Sequence, residues 1–236
     1  MIDGDLFSII FCLLACFNLY NMDVFVPEPP YWTDPRPWMF TGVPGRNTMP
    51  FLFLNAVVLF SKSVRGYVSI YVYLLSMWFD KQHYPLNTTP MSLINRVCEY
   101  CKNIGVGIVI GVLLKAEAPE YTLPVIVSMC LGMTMFVYGF VQKTDYDELI
   151  YFPGGFERRL IDRESDLTAI SKITCPQYRY RIIQVIGFAL LSGNKTVYFY
   201  AFYMFTKYWR AARNLHRAQF VLQPEHVQGK GFIMFL

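Results

Sequence analysis

The sequence predicts an all-α, polytopic integral membrane protein with about 3–5 membrane helices, some broken or re-entrant. An amphipathic surface helix and an extended Pro-rich arm complete the expected architecture. Three observations carry this reading. Residues 121–142 (YTLPVIVSMCLGMTMFVYGFVQ) run for 22 residues without a charge. At about 1.5 Å per residue, a helix of that length covers the roughly 30 Å hydrocarbon core of a bilayer. The whole chain is more apolar than a soluble domain needs, with 54% hydrophobic residues and a mean hydropathy of +0.31. Aromatic tracts such as Tyr198–Tyr203 suit the membrane interface, where one end of a ring is dry and the other wet.

In chain order, residues 1–22 are expected to form a first membrane helix. Leu6–Tyr20 is apolar, and Asp3 and Asp5 stand where a secretory signal would carry basic residues. Residues 23–50 form an arm held extended by Pro27, Pro29, Pro30, Pro35 and Pro37. It is expected to lie across a neighbouring surface and to bury Tyr31, Trp32, Trp38 and Phe40. Residues 51–79 are apolar but interrupted at 61–66 (SKSVRG). They are expected to be one long kinked helix or a re-entrant hairpin turning at Gly66. A cation at mid-membrane costs roughly 2.5–3.5 kcal/mol. Lys62 and Arg65, together with Lys195, therefore form a candidate ion path, unless they merely mark a break at headgroup level.

Residues 90–142 are expected to hold two helices. Thr89 is an N-cap and Pro90 a first helical residue. The first helix runs to about Glu117, with Arg96, Glu99 and Lys102 on its polar face. Gly107 and Gly111 have the spacing that allows close helix packing. After a turn at Pro119 comes the main helix, where Ser128 and Gly132 share a face and offer a second close approach. Residues 143–179 are a hydrophilic connection. Within it Phe156, Leu160, Ile161, Leu167, Ile170 and Ile173 recur at helical spacing as a surface helix. Residues 180–206 repeat the broken pattern around 192–195 (SGNK), again as one kinked helix or a re-entrant pair.

Residues 207–236 are a basic tail. Lys207, Arg210, Arg213 and Arg217 fall on one stripe of a helix and are expected to meet anionic lipid. Each cation near such a surface contributes about 1 kcal/mol. Residues 143–178 carry five basic and seven acidic residues, and residues 207–236 five basic and one acidic. With one crossing between them, the positive-inside bias puts the C-terminus on the matrix or cytoplasmic face. The 121–142 helix then runs outward from that face.

Reactive chemistry is sparse. Cys98 and Cys101 form a lone CxxC, with His83 the nearest further ligand, which falls short of a tetrahedral metal set. Both cysteines read more simply as small packing residues, and no metal is expected. None of the three histidines sits in an apolar tract, so no haem is expected. No HExxH motif and no intramembrane carboxylate cluster appears. The expected cofactor set is therefore empty, apart from a structural phospholipid such as cardiolipin. The expected function is a non-catalytic accessory subunit of a large membrane complex. A mitochondrial inner-membrane respiratory-chain or ATP synthase assembly of oxidative phosphorylation is the expected setting, with other membrane subunits and anionic lipid, and no nucleic acid, as partners. The alternatives are a small channel or transporter with its site at the broken helices, and a membrane enzyme using Cys98 and Cys101.

Overall fold

The structure, a computed structural model, describes residues 4–21, 61–83, 93–151 and 176–222, with side chains over 5–21, 61–77, 104–145 and 178–213. The Pro-rich arm, residues 51–60, the 156–173 surface helix and residues 223–236 lie outside the described residues, as do the side chains of His83, Cys98, Cys101 and Arg217. Among the described residues there are six α-helices and no strand. They are α1 (Gly4–Tyr20), α2 (Val64–His83), α3 (Leu93–Lys115), α4 (Leu123–Tyr151), α5 (Pro176–Ser192) and α6 (Lys195–Leu222).

The 180–206 stretch is not one kinked helix; it turns back on itself at 193–194, as the paired alternative requires. It is the apex of a helical hairpin, because Tyr178 and Tyr208 meet at its far end with ring centroids 6.3 Å apart. Two adjacent caps make the reversal. Gly193 takes the left-handed conformation at φ 58, and its N–H donates to the Ala189 carbonyl at 2.9 Å, which closes α5. Asn194 Oδ1 then accepts the Thr196 N–H at 2.9 Å, which opens α6.

The expected turn at Gly66 is also corrected, as is a continuous helix through 61–66. Residues 61–63 are non-helical, and Ser63 caps α2 by accepting the Gly66 N–H on its hydroxyl at 3.4 Å and the Tyr67 N–H on its carbonyl at 2.8 Å. Gly66 lies in the first helical turn, where its hydrogen leaves room for the Leu113 carbonyl of α3; a Cβ would stand 2.8 Å from that oxygen.

The hairpin overturns the orientation argument too. Residues 178 and 207 flank one end of the bundle, so no single crossing separates the segments on either side of 180–206. α4 packs antiparallel to α5, with Gly132 opposite Leu191 and Gly139 opposite Gln184. It therefore runs toward the basic stripe, not away from it. α4 also outlasts the uncharged run, reaching Tyr151 over 29 residues.

α1 packs parallel to α6 in a fixed register: Ser8 hydrogen-bonds Thr196 and Asn18 hydrogen-bonds Thr206, each at 3.3 Å and each 188 residues apart in sequence. All six helices converge near the fully buried Tyr200 of α6. Its hydroxyl shares a 2.9 Å hydrogen bond with Tyr73 of α2, and its ring meets Phe11 of α1 edge-on at 5.3 Å. Tyr73 stacks on Phe188 of α5 at 4.5 Å, Phe188 meets Phe136 of α4 at 6.4 Å, and Gly105 of α3 faces Tyr200.

Candidate functional site

The bundle has two chemically distinct ends. At the hairpin end, Arg65 reaches from the first turn of α2 onto the last turn of α5. Its Nε donates to the Leu191 carbonyl at 2.7 Å, and its Nη2 donates to the Leu190 carbonyl at 2.8 Å and to Ser128 Oγ at 3.4 Å. Ser128 of α4 itself donates to the Leu190 carbonyl at 3.0 Å. These carbonyls have no acceptor role inside α5, and they carry the negative end of its dipole, so a guanidinium is suited to them in both geometry and sign. Gly193 makes the fit possible, because a Cβ there would stand 2.3 Å from the guanidinium carbon.

Of the candidate ion path, Arg65 is thus a buried cap joining α2, α4 and α5. Lys195 is exposed and pairs with Asp5 of α1 at 2.9 Å, and Lys62 is exposed in the non-helical lead-in to α2. The three share an end of the bundle, where Arg65 binds the α5 carbonyls and Lys195 binds Asp5.

The expected packing glycines divide in the same way. Gly132 lies against the backbone of α5, where a Cβ would stand 2.3 Å from the Leu191 nitrogen. At Gly107 and Gly111, among the described residues, a Cβ meets nothing within 4 Å. α3 packs instead through the buried Val106, Val109 and Leu113. Two close-approach residues were not anticipated. A Cβ on Gly139 would stand 2.6 Å from the Gln184 nitrogen, and one on Gly187 would stand 2.4 Å from the Phe136 nitrogen. The seven-residue step from Gly132 to Gly139 was the available signal, since it is two helical turns.

The opposite, basic end gathers more cations than the stripe alone. Lys207, Arg210 and Arg213 of α6 are partly buried there. Arg181 of α5 is buried and lies over the Tyr208 ring at 6.0 Å, and Arg179 lies over Tyr180 at 5.8 Å. Lys143 of α4 is buried with its Nζ 5.2 Å over Phe140. The face of an aromatic ring attracts a positive charge placed over it. Among the described side chains this end holds six cations and one carboxylate, Asp145, whereas the hairpin end holds four cations and three carboxylates, Asp5, Glu117 and Glu120.

The outer faces of α1 and α4 are apolar, unlike the surface helices of a water-soluble domain. α1 buries Ser8, Phe11, Ala15 and Asn18, and exposes Leu6, Ile9, Leu13 and Phe17. α4 exposes Leu123, Val127, Leu131 and Val141. By length and composition α4 is the single described helix able to cross a membrane, over Leu123–Asp145, and only 17% of its apolar window is buried in the protein. A core helix of a soluble protein would be mostly covered.

Among the described residues no three His, Cys, Asp or Glu side chains gather as metal ligands. Neither a protein-family model nor a curated protein matches the sequence.

Proposed function

We propose that the chain is a non-catalytic, polytopic membrane subunit that presents an apolar wall to lipid and to neighbouring membrane subunits. The observation that carries this reading is the apolar outer face of α1: Leu6, Ile9, Leu13 and Phe17 are exposed, while the polar Ser8 and Asn18 are buried beside Phe11 and Ala15. In water that arrangement leaves apolar area uncovered, which large exposed patches of a stable monomer rarely do. In a bilayer it is the favoured one, because interhelical hydrogen bonds and small-residue contacts, not water exclusion, hold helices together. The cation-rich end faces the matrix or cytoplasmic side on the positive-inside bias and meets anionic headgroups there. A membrane rich in cardiolipin, such as the mitochondrial inner membrane, supplies them.

The test is alkaline carbonate washing of native membranes, followed by mild-detergent extraction and native sizing. Retention in the washed membrane and migration within a multi-subunit assembly are the expected results. Release by carbonate would overturn the membrane reading, and a stable, monodisperse monomer would overturn the subunit reading.

A further inference from the structure

The two flanks of the bundle differ in apolar height. On the α4 flank, the stretch from Leu123 to Lys143 is uncharged before its last residue and rises about 30 Å along the helix. On the α1–α6 flank the belt is shorter. α6 carries Lys195 at one end and Lys207 at the other, a rise of about 18 Å. On α1, Asp5 precedes an apolar run ending at Tyr20, a rise of about 22 Å.

The two flanks are level at the basic end. Tyr178 and Tyr208 meet there, Gly139 lies opposite Tyr180 and Gln184, and Lys143 follows one turn further along α4. The mismatch therefore falls at the hairpin end. Ser128 marks the level of the Arg65 cap through its bond to Leu190, and α4 continues past that level through exposed Leu123, Ile126 and Val127. On the other flank the Lys195–Asp5 pair, with side chains 69% and 66% exposed, stops the belt at the turn.

We infer that the chain thins the bilayer on one flank: the leaflet at the hairpin end is drawn in by roughly 8–12 Å beside α1, down to the Asp5–Lys195 pair, while lipid beside α4 keeps its ordinary depth. The occupant of the exposed α1 face is lipid with short or compressed acyl chains. The inference rests on the membrane reading above and adds to it a preferred thickness.

The test reconstitutes the purified full chain into phosphatidylcholine vesicles whose acyl chains step from about 14 to about 22 carbons. Flotation with the vesicles checks the membrane reading by itself. Thermal unfolding then reads the preferred thickness, and chemical cross-linking reports self-association. The wild type is expected to be most stable in the shortest two chain lengths. The double variant Asp5→Leu with Lys195→Leu lengthens the short belt by about 3 Å on α1, up to Asp3, and its optimum is expected to move to longer chains by roughly two carbons. A protein that floats but shows no dependence on chain length, an optimum in the longer chains, or an optimum the double variant does not move would overturn the inference and leave membrane embedding standing. So would a flat profile from a cross-linked dimer, because a second copy would then cover α1. Failure to float in any vesicle would overturn the membrane reading itself.

Discussion

Between α4 and α5 the two backbones touch at Gly132, Gly139 and Gly187, whereas between α1 and α6 they are held apart by Phe11, Tyr200 and Tyr203. The first seam is antiparallel and follows a hydrophilic connection; the second is parallel and joins the two ends of the chain. The difference lies in what each seam tolerates. Where backbone meets backbone, a single added carbon has nowhere to go. Where side chains interdigitate, rotamers can shift, and the hydrogen bonds at Ser8 and Asn18 set the register more than they hold the seam.

The largest expected effect breaks the glycine seam. Gly187→Ala places a Cβ 2.4 Å from a main-chain nitrogen, and the helices must separate. We expect a loss of more than about 3 kcal/mol, read as loss of the folded, monodisperse species in detergent. Gly107→Ala is the matched control: its Cβ meets nothing, so only helix propensity acts, and stability rises by up to about 1 kcal/mol.

Next comes Arg65→Met, which keeps the stem and removes both donors from the Leu190 and Leu191 carbonyls. The expected loss is about 2–3 kcal/mol, measured by denaturation in mixed micelles. Arg65→Lys should recover only part of it, since an ammonium cannot reproduce the planar fork.

Ser8→Ala probes the side-chain seam. Hydrogen bonds between membrane helices average about 0.6 kcal/mol, and a loss of that size is expected in the same assay. A loss as large as that of Arg65→Met would mean that the two seams do not differ as argued. Asp5→Asn is the smallest perturbation. The Asp5–Lys195 pair is exposed on both sides, so its removal should change stability in detergent by less than about 0.5 kcal/mol. A larger change would place the pair in a drier setting.

Much of this was legible in the sequence for α4 and little for its partners. An uncharged run of bilayer length has few alternatives, so α4 announced itself; its extension to Tyr151 did not, because Lys143, Asp145, Asp147 and Glu148 end an apolar run without ending a helix. The hairpin was within reach: glycine followed by asparagine is a C-terminal stop joined to an N-terminal start, but two apolar halves of similar length read as readily as one broken rod. Arg65 could not be placed, because its two nearest acceptors lie 125 and 126 residues away and are main-chain carbonyls that carry no sequence signature. Gly107 and Gly111 show the converse: the spacing is present, and no described helix uses it. A motif states what a helix permits, while the partner's position decides whether the opportunity is used.

The fixed offset of 188 residues between Ser8 and Thr196 has a consequence in time. During synthesis at about 5–20 residues per second, α6 follows α1 by roughly 10–40 s. Until then Ser8 and Asn18 lack the hydroxyls of Thr196 and Thr206, and must find temporary partners in water, lipid headgroups or an assembly factor. A chain that has made α1 but not yet α6 therefore lacks the partners that α6 supplies to Ser8 and Asn18, and α6 is the latch that ends that interval.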